Sequence, residues 1–248
     1  MDLSHSIPEK KVYYLTPENT AFSKFYLAAR EKEQRLLTDA QVIKLPHIDL
    51  YEWKLRKKST MRFVNYIANK NRGLTILDIG CGNGWFSNKI ATISKKNEVI
   101  GLDVNRVELE QAARIFNKKN LKFVYADLFK VFDQFESQFD IITLNGTIQY
   151  FENFTVLIGL LVSYLKPKGE IHLIDSPFYE ASEIPLAKQR TKKYYNDLGL
   201  PEMAEQYYHH NIDLTKDFQL LYKYKRNLFH AILGKKDSPY SWLCLIKK

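Results

Sequence analysis

Between residues 75 and 176, short apolar runs alternate with longer stretches of mixed polarity. The runs at 75–79, 98–103, 121–125, 139–144 and 170–176 predict five strands. The stretches between them repeat apolar positions every three or four residues. They predict helices ending near 94 and covering about 106–118 and 154–165. Strands alternating with helices predict an α/β fold, a doubly wound and mainly parallel sheet. The flanks read differently. Residues 1–18 are polar, with Pro8 and Pro17, and predict an arm. Two helices are expected over about 19–40 and 49–69, separated by Pro46 and closed by Gly73. Phe22, Phe25, Tyr26, Ala29, Leu36 and Leu37 stripe the first; Trp53, Met61, Val64 and Ile67 line the second. Residues 177–217 break the alternation with three prolines and many tyrosines, and predict a helical cap with helices near 182–197 and 202–209. The runs 218–224 and 242–247 then supply the last two strands, one of them antiparallel. The expected division is an arm and helical preface over 1–72 and a ligand-binding domain over 73–248.

Composition narrows the class. The chain has 248 residues, 45% of them hydrophobic, which suffices for one α/β domain with a cap. No apolar run approaches the ~20 residues of a membrane span. The first residues, MDLSHS, lack the basic and apolar segments of a secretory signal. Two cysteines, Cys81 and Cys244, argue against a disulfide framework and for a reducing cytoplasm. The net charge of +9 is uneven: residues 1–75 carry 14 basic and 8 acidic side chains, residues 76–176 carry 11 and 12, and residues 177–248 carry 12 and 8. The basic excess lies outside the alternating core. It suits an anionic acceptor or a nucleic acid, although solvated basic helices are its commoner cause.

The chemistry concentrates in residues 76–87, ILDIGCGNGWFS, where an apolar strand runs into glycines at 80, 82 and 84. Glycines admit a ligand close to the backbone, and the following helix offers free N–H groups. Such a turn serves NAD, FAD or S-adenosylmethionine (SAM). Trp85 stands where a dinucleotide fingerprint has its third glycine. Asp103 ends the second strand, 19 residues after Gly84; its two oxygens can accept both ribose hydroxyls. Asp127 follows the third strand, as a ligand acceptor or as a helix cap. No His/Cys cluster at metal-ligand spacing is apparent, so no metal is expected.

The order Asp78–Gly80–Gly82–Gly84, Asp103, Asp127 resembles the class I SAM-dependent methyltransferases, of the small-molecule type. The resemblance covers about residues 75–176 by motif and the last two strands by pattern. It implies a seven-stranded Rossmann-like sheet with helices before it and a cap before its last two strands. It also implies SAM as cofactor and S-adenosylhomocysteine as product. Asp78 would orient the turn or meet the methionine amino group. Gly80, Cys81 (through its backbone N–H), Gly82 and Gly84 would line the cofactor, and Asp103 and Val104 would flank the ribose and adenine. Asp127 and Leu128 would read the adenine edge, and Asn145 and Gly146 would approach the methionine. Arg56, on one helix face with Trp53 and Lys57, would pair the methionine carboxylate; a solvated basic face with Trp53 as core anchor is the other reading. The turn at 166–170 is similar to the family's structural Pro-Gly-Gly turn, with Lys168 in place of its first glycine. The stretch 139–151 lacks both the Asn-Pro-Pro-Tyr of nucleobase methylation and the acidic pair of the metal-dependent catechol type. Many relatives carry histidine where Gln149 or Tyr150 stands. The candidates for a catalytic base are therefore Tyr150, His209 and His210, with aromatic packing of the cap as the alternative for the histidines. The expected partner is a small-molecule acceptor, anionic by the charge pattern, with no membrane. RNA methylation and SAM binding without transfer are the alternatives, and NAD chemistry stands behind them.

Overall fold

The computed structural model describes residues 7–224 and 237–248, without the side chains of residues 20–22. Among these residues one sheet carries eight strands: β1 (Val12–Tyr14), β2 (Thr75–Ile79), β3 (Glu98–Asp103), β4 (Leu121–Tyr125), β5 (Phe139–Asn145), β6 (Leu165–Ile174), β7 (Gln219–Tyr222) and β8 (Trp242–Ile246). Their order is β1-β4-β3-β2-β5-β6-β8-β7. Pairing is parallel from β1 to β6, and β8 runs antiparallel to both β6 and β7. The order turns back between β2 and β5, the switch point outside which such sheets bind ligands.

The sheet is apolar on both faces, as a sheet covered by helices must be. Successive residues of β2 point oppositely: Ile76 enters the core on one side and Leu77 the core on the other. Helices α3 (Tyr51–Ala68), α4 (Trp85–Ile93) and α5 (Arg106–Ile115) cover the first side, and α6 (Phe132–Phe135) and α7 (Phe154–Tyr164) the second. The preface is part of the main core. Phe63 of α3 is fully buried, with its ring centroid 5.4 Å from Phe86 of α4 and 6.0 Å from Trp242 of β8. A third cluster joins α1 (Thr20–Lys32) to the cap helices α8 (Ile184–Asp197) and α9 (Glu202–Glu205) through Ala29, Tyr195 and Met203.

Three expectations need correction. The arm contains an eighth strand: β1 pairs with β4, Val12 opposite Phe123. The helix expected over 19–40 is two helices. It stops at Lys32, and α2 (Asp39–Lys44) starts afresh in a capping box of Thr38 and Gln41. The turn expected at 166–169 lies inside β6, where the register shifts and Lys168 takes a positive φ of 62°. The first six residues of the arm fall outside the described part. No helix among the described residues is long and apolar enough to cross a membrane.

Phe63→Ala should cost about 3–5 kcal/mol, because the preface and the sheet close around that ring. Urea unfolding measures this; a loss below 1 kcal/mol would mean that α3 is not integral to the core.

Candidate functional site

Gly84 enters α4 at φ +72°, and a Cβ there would come 2.6 Å from the Phe123 ring. A side chain is thus excluded by conformation and by space, and the turn stays low over the strand ends. Beneath it Asp78 is buried. Its carboxyl accepts from Ser87 Oγ at 2.5 Å and from Thr143 Oγ1 at 2.9 Å. It thereby ties β2 to α4 and to β5. Burial pushes this carboxyl up to about 7, against the two hydroxyl bonds.

Above the strand ends lies a cavity of about 630 Å³, within the usual range for small-molecule sites. Its floor is the turn at 80–83, the ends of β3 and β4, and residues 145–147 after β5. Its roof is α1, through Tyr26 and Arg30, and α3, through Glu52, Trp53 and Arg56. The roof is fastened to the floor, since Ser23 Oγ donates to the Val104 carbonyl at 3.0 Å.

Asp103 lines the cavity with much of its capacity committed. Oδ2 accepts the Gly82 N–H at 2.7 Å, and Oδ1 accepts those of Val104 at 2.7 Å and Asn105 at 2.8 Å. Burial raises its pKa and these three bonds oppose the rise. Val104, Leu128, Asn145 and Gly146 also line the space. Asp127 lines it too, and caps the short turn after β4 by accepting from the Phe129 N–H at 3.1 Å. Arg56 reaches across from α3. Its Nε donates to Glu52 at 2.9 Å, and its Nη2 lies 3.3 Å from where a Gly146 Cβ would be. Asn83 Oδ1, Glu108 Oε2 and Asn145 Oδ1 are buried without a hydrogen-bond partner among the described residues.

Four predicted site residues are placed otherwise than expected. Gly84 lies beneath the cavity rather than on its lining. The Cys81 N–H does not point at a ligand; it donates to the Leu102 carbonyl at 3.1 Å, although the residue itself lines the cavity. The third and fourth are the histidines proposed as bases, and both lie off the lining. The chain at 208–212 runs beside Gln149 and Tyr179, fixed by backbone bonds to both. His210 is thereby buried against Phe154 and bonds the Ile148 carbonyl at 3.1 Å. His209 meets Thr191 Oγ1 at 2.9 Å, between the rings of Tyr179 and Tyr207. Burial lowers both pKa values. Tyr150 does line the cavity, edge-on to Tyr26 at 5.7 Å; burial raises its pKa and makes it a poor base near neutrality.

Sequence reasoning missed Tyr26, Arg30 and Glu108. Their spacing held a partial signal, since Tyr26 and Arg30 are four apart on one helix face and Arg30 lies 4.9 Å over the Tyr26 ring. It also missed a buried group that could hold a metal by residue type: Glu170, His172 and Cys244, with ligand atoms within 4.8 Å of one another. Cys244 joins only through the antiparallel β6–β8 pair, so linear spacing hid the set. Both His172 nitrogens are engaged, Nδ1 accepting from Trp242 and Nε2 bonding Glu170, which also pairs with Lys70. Its members are thus hydrogen-bonded to one another and to their neighbours.

A family model described as a methyltransferase domain matches residues 70–238. The chain belongs to the methyltransferase-domain family. Among curated relatives, malonyl-[acyl-carrier protein] O-methyltransferase 2 of Ilyobacter polytropus is 34% identical over 107 residues, covering 43% of this chain and 40% of its own. The malonyl-[acyl-carrier protein] O-methyltransferase of Halalkalibacterium halodurans is 28% identical over 123 residues, covering 46% and 45%. The match thus spans less than half the length of these two relatives. The fold is shared with a putative SAM-dependent methyltransferase of Methanococcus maripaludis: TM-score 0.53, 16% identity, 94% of this chain and 97% of the other.

The buried Asp78 carries a pH signature. Its folded pKa of about 7 lies above the unfolded value, so the unfolded chain loses this proton first. Relative to Asp78→Asn, wild-type stability should fall as pH rises from 4 to 7, by up to about 1.4 kcal/mol per pH unit, and then level off. Denaturant melts at several pH values check this; parallel curves would show that Asp78 does not titrate in that window.

Proposed function

We propose that this protein is a SAM-dependent methyltransferase whose acceptor is a small molecule bearing a carboxylate. The observation that carries the reading is the charge layout of the cavity. Asp103 and Asp127 give one part of it acceptors. Elsewhere Arg35 and Arg56 pair with Glu33 and Glu52, and Arg30 stands between Glu33 and the carboxyls of Glu108 and Asp103, the ion-pair contacts being 2.6 to 3.5 Å. The roof thus sets fixed cations beside the acceptors of the same cavity. This lining fits a nucleoside joined to an amino acid, and the three bare buried oxygens of Asn83, Glu108 and Asn145 fit the donors such a ligand brings.

Asp103 would accept from the ribose, and Asp127 and Leu128 would border the adenine. Arg56 would hold the amino-acid carboxylate, its orientation kept by Glu52. When bound, SAM would supply an electrophilic methyl group; an acceptor oxygen would take it by in-line displacement, the methyl–sulfur bond breaking as S-adenosylhomocysteine leaves. Tyr26, Trp53 and Tyr150 close the space and exclude water. Arg30 and Arg35 would orient an anionic acceptor against that methyl. No histidine is on the lining among the described residues. A carboxylate acceptor needs none, because it is already ionised near pH 7. The relatives named for malonyl-[acyl-carrier protein] O-methylation support the same choice of acceptor oxygen.

A thermal melt tests the cofactor. S-adenosylhomocysteine at ~100 times its Kd should stabilise the chain by about 2.7 kcal/mol. NAD should not, and Arg56→Ala and Asp103→Ala should each weaken the effect at least tenfold in Kd. A rise with NAD alone would overturn the reading. With methyl-labelled SAM, malonate monothioesters should yield base-labile methyl esters. Label found only in RNA would point to the other acceptor class.

A further inference from the structure

Glu108 projects from α5 over the glycine turn. A Cβ at Gly82 would lie 3.3 Å from its Oε2 and 3.6 Å from its Oε1. The Tyr26 hydroxyl hydrogen-bonds this carboxyl, yet Oε2 stays buried with no partner among the described residues. Across Gly82 stands Asp103, already accepting three backbone N–H groups. A carboxylate has about four acceptor directions, so Asp103 has room for about one more donor. A ribose diol brings two. We propose that Glu108 is a second acceptor for the hydroxyl-bearing sugar of the bound nucleoside, taking the donor that Asp103 cannot. This rests on the SAM reading and adds to it a specificity residue outside the glycine motif.

The pairing has an electrostatic consequence. Asp103 faces Glu108 from the end of β3, Tyr26 and Arg30 from α1, Tyr150 from the segment after β5, and Cys81 from the turn. Burial first, and Asp103 second, push the Glu108 carboxyl up to about 7, with Arg30 and Tyr26 opposing. Near neutrality the free protein therefore holds a proton there about half the time. Hydroxyl donors favour the ionised form, so ligand binding expels that proton to solvent. Ligand affinity then rises with pH, by up to about tenfold between pH 6 and pH 8. Asp78 titrates in the same range but lies beneath the turn and off the lining, and Glu108→Gln leaves it in place.

The experiment is calorimetric titration of the full chain with S-adenosylhomocysteine at pH 6, 7 and 8, in buffers of different ionisation enthalpy. Wild type should release about half a proton at pH 7 and bind more tightly at pH 8 than at pH 6. Glu108→Gln should bind with no proton release and little pH dependence. Wild-type binding without proton release, or an unchanged pH dependence in Glu108→Gln, would overturn the role of Glu108 and leave the methyltransferase reading intact. Should Glu108→Gln fail to fold, the wild type still tests the proposal, because binding without proton release would overturn it. No binding at any pH would overturn the SAM reading, and this inference with it.

Discussion

Everything at the ligand edge hangs from one buried carboxyl. Asp78 is the last polar side chain of β2 before the turn, and it holds Ser87 of the next helix and Thr143 of the next strand. Burying a charge without an ionic partner is expensive, and here its cost appears as a pKa displaced to about 7. What it secures is position. The glycine turn cannot rise, because α4 is held at its first turn, and β5 cannot slide, because its middle residue is bonded. Asp103 then completes the turn from the neighbouring strand by taking the Gly82 N–H. Two acids on adjacent strands thus divide the labour, one fixing the turn from below and one lining the cavity.

The second constraint is the roof. A parallel sheet with helices on both faces leaves its C-terminal edge open. Here α1 and α3 cover that edge with Tyr26, Arg30, Trp53 and Arg56. The arginines bring charge, and Glu33 and Glu52 pair with it. The cavity thereby carries both signs, with Asp103 and Asp127 at the strand ends and arginines on the roof, a layout that would orient the proposed ligand with unlike groups at its two ends.

The central strands were legible because each is buried on both faces and must be a continuous apolar run. Thr75–Ile79, Glu98–Asp103 and Leu121–Tyr125 coincide with expectation at both ends. That Gly80, Gly82, Asp103, Asn145 and Gly146 share one cavity was legible because the ends of parallel strands and the turns after them meet at one edge of such a sheet. The eighth strand was not. Val12–Tyr14 is three residues long, and only its partner β4 makes it a strand. The helix break at 33–38 was hidden because the apolar stripe continues through Leu36 and Leu37. The histidines misled because a ring's direction depends on which element the segment packs against, and the backbone bonds of Tyr208 and Ile212 turn both away. Glu108 carried no signal in the sequence, because its carboxyl is enclosed only where Tyr26 and Arg30 of α1 face it.

Helix α1 has two neighbours with different tasks. Its Ser23 is fastened to the Val104 carbonyl at the floor of the cavity, while Ala29 packs against Tyr195 and Met203 of the cap. A stiff helix of 13 residues cannot lift at one end without moving at the other. Under the proposed function, binding at the strand ends and binding beside the cap would therefore be coupled. Whatever free energy either ligand contributed to holding α1 down, the other would gain as affinity, by the same amount in both directions.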